Sequence, residues 1–183
     1  MNLNTWFDKG MSPDVYIESM EKHKDNLLYI YDTYSLPADT DFFTELQNKQ
    51  LRAIVLTEDW CGDAMLNIPI LLHLAEAGQI DVRMLLRDQN LELMDNYLTN
   101  GKSRSIPIVI FIDQDGNEVA KWGPRAERIQ EFVSESQDKL PEKDAADYKE
   151  KFNEMILFMT KSFRDNHDFW DEVYNSLKQA LTK

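Results

Sequence analysis

The sequence predicts an α/β fold with a mixed central sheet flanked by helices. Apolar runs typical of buried strands alternate with helix-like stretches over residues 51–98, which implies crossover connections and parallel pairing. Residues 108–112 and 118–122 then form a hairpin pattern around an Asp-Gln-Asp-Gly turn, which adds an antiparallel pair. The length of 183 residues, with 43% apolar residues, suits a single compact domain with extended ends.

Helices are expected ahead of the sheet, in an N-terminal extension over residues 1–50. A Ser-Pro pair at Pro13 is typical of a helix start, and apolar residues then recur at helical spacing until Pro37, which predicts one long helix. Thr40 can cap a second helix. We expect this extension to pack on the core.

The core is predicted over residues 51–138. Four elements precede the hairpin: a strand at 51–56, a helix at 61–78, a strand at 80–86 and a helix at 91–98. Pro69 falls inside the first of these helices, where it removes a backbone hydrogen bond and should kink the axis. A helix over residues 125–136 completes the core.

A helical C-terminal extension is expected over residues 139–183. Its first helix carries an apolar stripe of six residues: Tyr148, Phe152, Met155, Ile156, Met159 and Phe163. Such stripes usually belong to the core, so we expect docking on the fold or on the N-terminal helix. A dimer through this stripe is the alternative.

Charge and composition narrow the partners and the compartment. The 33 acidic and 20 basic side chains give a net charge of −13, which repels nucleic acid and anionic membrane surfaces. The apolar runs are far shorter than the ~20 residues that span a bilayer, and the first residues lack a secretory pattern. A single cysteine excludes an intramolecular disulfide. We therefore predict a cytoplasmic protein.

Cys61, the sole cysteine, opens the predicted helix at 61–78. A thiol in a first helical turn faces unpaired N–H groups and the positive end of the helix dipole, which both favour the thiolate. We therefore predict a Cys61 pKa below the ~8.5 of a free thiol. The nearby acids Glu58, Asp59 and Asp63 oppose ionisation. The nearest candidate cation in the sequence is Arg104.

Two short motifs place the cysteine in a family context. Trp-Cys-Gly at residues 60–62, with Pro69 further along the helix, resembles the active-site segment of the thioredoxin-like family, in its bacterial type. Ile106 and Pro107 stand before the hairpin, where that family has a cis proline. The resemblance implies a thioredoxin-like fold. It also implies a cis bond at Pro107, in a loop that offers backbone groups to an extended substrate beside the cysteine.

The chain departs from the thioredoxin pattern at three positions. Ala64 replaces the second, resolving cysteine, and Asp63 replaces the proline between the two cysteines. Val55 stands where many thioredoxins bury an acid that assists the resolving thiol. The site is therefore described as Cys-Gly-Asp-Ala, with Cys61 as nucleophile and five substrate-binding neighbours: Trp60, Gly62, Asp63, Ile106 and Pro107.

Two functions follow from a one-thiol site. The first is monothiol thiol-disulfide exchange, in which protein disulfides or mixed disulfides react with Cys61 and a low-molecular-weight thiol resolves the product. The second is a redox-inactive thioredoxin-fold protein that binds polypeptides, as a chaperone-like module. No cofactor or metal is predicted, because the glycines are dispersed and the three histidines lack metal-ligand spacing.

Overall fold

A four-stranded mixed sheet forms the centre of the fold. The computed structural model describes residues 2–183. The strands are β1 (Arg52–Thr57), β2 (Asp81–Leu86), β3 (Ile108–Ile112) and β4 (Glu118–Trp122). Their spatial order is β2-β1-β3-β4, with β1 and β2 parallel and the other two pairs antiparallel. The predicted α/β fold, with its mixed sheet and flanking helices, is confirmed.

The two central strands are buried on both faces. Every residue of β3 is buried, and in β1 only Arg52 is partly exposed. Val55 of β1 pairs with Val109 of β3 and has no solvent-exposed area. Continuous apolar runs are what a strand covered by helices on both sides requires.

Helix α5 (Gly62–Ala77) connects β1 to β2 and carries the cysteine at its start. The helix runs through Pro69 and is buried along most of its length, from Asp63 to Ala75. It packs against β2, α3 and the two C-terminal helices. The site is therefore anchored to the most deeply buried helix of the molecule.

Between residue 2 and the sheet, the structure has four helices: α1 (Asn4–Lys9), α2 (Pro13–Ser19), α3 (Lys24–Thr33) and α4 (Thr40–Lys49). The prediction of one long helix from Pro13 to Pro37 was wrong, because the chain leaves the helix at Met20. The Asp59 carboxylate accepts hydrogen bonds from the N–H groups of Glu21 and Lys22, at 2.8 and 3.1 Å. The loop before Cys61 thus binds backbone groups that a continuous helix would use internally.

Helix α6 (Leu91–Met94) is shorter than the helix predicted at 91–98. The helix ends at Met94, and the chain turns further on, at Asn100 and Gly101, which adopt left-handed conformations with φ of 53° and 67°. The Tyr97 hydroxyl also donates to Glu118 of β4 at 2.7 Å. This side-chain contact with the sheet holds the segment outside helical geometry.

Three helices follow the sheet: α7 (Glu127–Asp138), α8 (Tyr148–Asp165) and α9 (His167–Leu181). Helix α8 packs against α3, α5 and α7, while α9 packs against α5, α7 and β4. The indole N–H of Trp170 donates to the Phe163 carbonyl at 2.9 Å and joins α9 to α8. Over residues 2–183, none of the helices has the length and apolar character needed to cross a membrane.

Candidate active site around Cys61

Cys61 lies at the junction of β1 and α5, as the residue immediately before the first helical turn. Its side chain is nearly enclosed, with 8% of the residue exposed. The thiol donates a hydrogen bond to the Ile106 carbonyl, with an Sγ to O distance of 3.4 Å. The Ile106–Pro107 peptide bond is cis. The two motifs, distant in sequence, therefore meet at the sulfur atom.

The surroundings of Cys61 suppress its ionisation. Burial, and then the negative charge of Asp63, raise the pKa of the Cys61 thiol from its ordinary 9.0 to about 11. The N–H groups of Ala64 and Asp63 and the positive charge of Arg125 lower this pKa, but by less. The prediction of a lowered pKa was wrong, because desolvation outweighs the helix N-terminus.

Asp63 forms a buried ion pair with Arg125 beside the thiol. The guanidinium makes two hydrogen bonds to the carboxylate, both at 2.7 Å, and a third to Gln130 at 2.8 Å. Burial raises the pKa of Asp63, and the contact with Arg125 opposes that increase. At the thiol the two charges do not cancel, because Asp63 raises the Cys61 pKa by more than Arg125 lowers it.

Arg125, rather than Arg104, supplies the positive charge near Cys61. Arg104 instead forms an exposed ion pair with Asp95, at 2.7 and 3.0 Å. Arg125 follows the Gly123–Pro124 bond, just after the end of β4. In the sequence, only this position next to the predicted hairpin could have indicated that Arg125 belongs to the site. The Pro124 carbonyl also accepts a hydrogen bond from Asn67 of α5 at 2.9 Å, which fixes this segment against the helix.

The other two acids in the loop before Cys61 bind backbone groups. Glu58 accepts a hydrogen bond from the Asp88 N–H at 2.8 Å, and Asp59 holds the chain between α2 and α3. Their role is to shape the loop, which the sequence had not indicated.

Tyr16 is a further residue near the site that sequence reasoning missed. It is buried, and its hydroxyl lies 3.1 Å from the Thr57 hydroxyl at the end of β1. Burial raises the pKa of Tyr16, and the negative charges of Asp59 and Cys61 add to this effect. Tyr16 therefore closes the interior side of the loop with an uncharged side chain.

A cleft of about 270 Å³ opens above the thiol. One side is formed by Trp60, Cys61, Gly62 and Asp63, and the opposite side by residues of α8. Trp60 is 44% exposed, and the Arg87 guanidinium lies 4.9 Å from the centre of its ring. Four of the six predicted site residues line the cleft: Trp60, Cys61, Gly62 and Asp63. Ile106 contacts the sulfur through its carbonyl group, and Pro107 follows it in the chain.

The histidines are placed in packing or surface contacts. His73 lies 2.7 Å from the Tyr31 carbonyl and stacks on the Tyr31 ring, and His167 stacks on Trp170. His23 begins α3 and lines the cleft. Across residues 2–183, no group of three or more His, Cys, Asp or Glu side chains is arranged to hold a metal ion.

The fold is that of the thioredoxin class. A family model described as thioredoxin matches residues 10–146, so the chain belongs to the thioredoxin-like family. This membership supports a general thioredoxin-like function. No curated protein matches the sequence.

Two of the matching solved structures share the fold at low sequence identity. A protein of unknown function from Pseudomonas aeruginosa is 14% identical, with a TM-score of 0.62 and coverage of 96% of this chain and 98% of that chain. An HIV epitope scaffold, also 14% identical, has a TM-score of 0.60 and coverage of 96% and 99%. Fasciola hepatica thioredoxin is 23% identical and matches 54% of this chain and 91% of its own, with a TM-score of 0.34.

Proposed function

We propose that this protein is a monothiol exchange protein with Cys61 as its nucleophile. The observation that carries the proposal is the position of the thiol, at the start of α5 and against the Ile106 carbonyl, with Ala64 where a second thiol would act. Ala64 is buried one turn further along the same helix. An intermediate formed at Cys61 therefore needs a thiol from outside the chain.

The reaction consists of two exchanges. Cys61 loses its proton, and the thiolate attacks one sulfur of a protein disulfide or mixed disulfide; the old S–S bond breaks, and the departing thiolate takes up a proton. A low-molecular-weight thiolate then attacks the substrate sulfur of the mixed disulfide and releases Cys61. Each step replaces one S–S bond by another, so no further electron donor is required.

The raised pKa makes this exchange slow at neutral pH. A pKa of about 11 instead of 9.0 reduces the thiolate fraction ~100-fold. The more basic thiolate is a better nucleophile, with a Brønsted coefficient of ~0.4–0.5, which recovers about one factor of ten. We therefore expect exchange about tenfold slower than that of an ordinary thiol, and a rate that increases with pH.

The proposed partners are protein disulfides or mixed disulfides and a low-molecular-weight thiol, in the cytoplasm. The net charge of −13 disfavours nucleic acid and anionic membranes as partners. Asp63 and Arg125 already pair with each other beside the thiol, so an uncharged disulfide is better suited than a strongly charged one.

The test is the reaction of the protein with a peptide carrying a cysteine pyridyl disulfide. Wild type is expected to release thiopyridone at a rate that increases between about pH 9 and pH 11, and mass spectrometry should show one peptide on Cys61. Cys61→Ser serves as the control and should release thiopyridone no faster than buffer alone, which measures the cleavage of the reagent by hydroxide. An unmodified wild-type protein after prolonged reaction above pH 10 would contradict the proposal.

A second candidate function is polypeptide binding without redox chemistry. The enclosed thiol, 8% exposed with a pKa of about 11, favours this alternative. It predicts that Cys61→Ala binds an apolar peptide as tightly as wild type, while neither protein exchanges disulfides. Formation of the peptide adduct on Cys61 would reject it.

A further inference from the structure

We propose that α8 forms an apolar specificity subsite, which receives one uncharged apolar side chain adjacent to the reacting cysteine of a polypeptide. The subsite is the cleft between Trp60–Cys61 and the α8 side chains that face it. This inference rests on the exchange function proposed for Cys61 and specifies its substrate.

The side of the cleft that α8 forms is largely apolar. Four apolar residues of the helix line the cleft: Phe152, Met155, Ile156 and Met159. Phe152 is 38% exposed and Ile156 is 39% exposed, and both line the cleft. Together with Trp60 they leave apolar surface uncovered beside Cys61. An apolar ligand that covers this surface gains the free energy of its removal from water.

The charged side chains of the cleft are already paired with each other. Among the described residues, the carboxylate and the guanidinium that line the cleft are those of Asp63 and Arg125, which bind each other through two hydrogen bonds, and the imidazole of His23 lines it as well. A ligand carboxylate or ammonium group would lose water on entry and find no free counter-charge. The charge therefore favours a neutral, apolar occupant over an anionic small thiol.

The volume of the cleft limits the size of the group that it can receive. At about 270 Å³ the cleft lies below the ~300–1,000 Å³ range typical of sites for small-molecule ligands. This space suits one large side chain rather than a whole cofactor. Met155 and Met159 have flexible, polarisable side chains, which can adjust to different apolar shapes.

The α8 wall of the subsite lies outside the part of the chain that the family model describes. The match ends at residue 146, whereas α8 spans Tyr148–Asp165. The wall is therefore supplied by the C-terminal extension. Within that extension, α8 packs against α3, α5 and α7.

The experiment compares two peptides that differ only in the residue beside an activated cysteine. One carries leucine and the other aspartate, and both carry the cysteine as a pyridyl disulfide. The Cys61 thiolate attacks the peptide sulfur, the bond to the pyridine sulfur breaks, and the leaving group takes up a proton as thiopyridone. We expect wild type to react with the leucine peptide about tenfold faster, after correction for each peptide's rate with a free small thiol.

Variants on α8 test the wall directly. Phe152→Ser and Ile156→Ser should each reduce the preference for leucine to about twofold, because each removes apolar surface from the cleft. Leu157→Ser is the matched control, since Leu157 is 72% exposed on the same helix and does not line the cleft. It should keep the wild-type preference. Circular dichroism and thermal unfolding establish that each variant is folded.

The outcomes separate this inference from the proposed function. Exchange with equal rates for both peptides would overturn the subsite and leave the exchange function standing. If neither peptide reacts, the exchange function fails, and calorimetric titration of a leucine peptide with serine in place of cysteine decides the subsite. Binding that is lost in Ile156→Ser but kept in Leu157→Ser would support an apolar binding site, and absence of binding would overturn it.

Discussion

At the residue scale, the central feature is a cysteine whose ionisation is opposed by its own site. Burial is the largest cause of the raised Cys61 pKa and the Asp63 carboxylate is the second. The helix N-terminus and Arg125 act in the opposite direction. The lone thiol is thereby kept protonated at neutral pH.

We expect Asp63→Asn to lower the pKa of Cys61 toward its ordinary value, because the substitution removes a negative charge and leaves that of Arg125. The measurement is the rate of alkylation by iodoacetamide as a function of pH. Asp95→Asn is the control, since Asp95 pairs with Arg104 in an exposed ion pair. An unchanged or higher Cys61 pKa in Asp63→Asn would show that Arg125 already neutralises the carboxylate.

The same thiol should make stability depend on pH. The Cys61 pKa is raised in the folded protein, so the stabilisation is present below about pH 9 and is lost as pH rises through about 11. The loss attributable to Cys61 is about 2 to 3 kcal/mol of unfolding free energy. Denaturant unfolding of wild type and Cys61→Ala at neutral pH and at pH 10.5 measures it as the difference between the two proteins. Parallel pH profiles would refute it.

At the scale of elements, the site is assembled where the start of α5, the loop before β3 and the segment after β4 meet. The thiol contacts the Ile106 carbonyl, and the Asp63–Arg125 pair ties α5 to the end of the hairpin. Gly123 allows the segment after β4 to lie close to the loop before β3. Its φ is 117°, and a Cβ at this position would lie 2.2 Å from the Pro107 carbonyl oxygen.

We therefore expect Gly123→Ala to lower the unfolding free energy by more than about 2 kcal/mol, through backbone strain and the clash with Pro107. It should also displace the loop that contacts Cys61. Gly62→Ala is the matched control beside the same thiol, because nothing lies within 4 Å of its added Cβ. The control should change stability by less than about 1 kcal/mol. Chemical denaturation of both variants decides the prediction.

At the scale of the whole molecule, a strongly acidic protein surrounds a nearly neutral cleft. The net charge of −13 repels an anionic reagent at a distance, before the reagent reaches Cys61. The side chains of the cleft affect a reagent only when it is in contact with them. Salt screens the first effect over a Debye length of ~10 Å at 0.1 M ionic strength.

We expect the reaction of Cys61 with the anionic dithiobis(nitrobenzoate) to accelerate several-fold when the ionic strength is raised from ~0.01 M to ~0.5 M. The reaction with the neutral dithiodipyridine should change little under the same conditions. Stopped-flow absorbance at fixed pH measures both rates. Equal salt dependence of the two reagents would show that the global charge does not reach the site.

The fold could be predicted in large part from the sequence because its elements depend on local patterns. The residues of β3 and β4 were predicted as observed, since an apolar run and a turn sequence define a hairpin. The break between α2 and α3 could not be predicted, because it depends on hydrogen bonds to Asp59, which is distant along the chain. Arg125 was missed because its contact with Asp63 also joins residues that are distant along the chain.

The sequence by itself determined that this protein has one thiol, at the start of a helix, with Ala64 three residues further along. Those facts depend only on residue identity and local periodicity. Only the tertiary structure decided that the thiol is protonated, that Arg125 rather than Arg104 lies beside it, and that α8 walls its cleft. Burial and charge at a point in space are sums over residues that the chain brings together from distant positions.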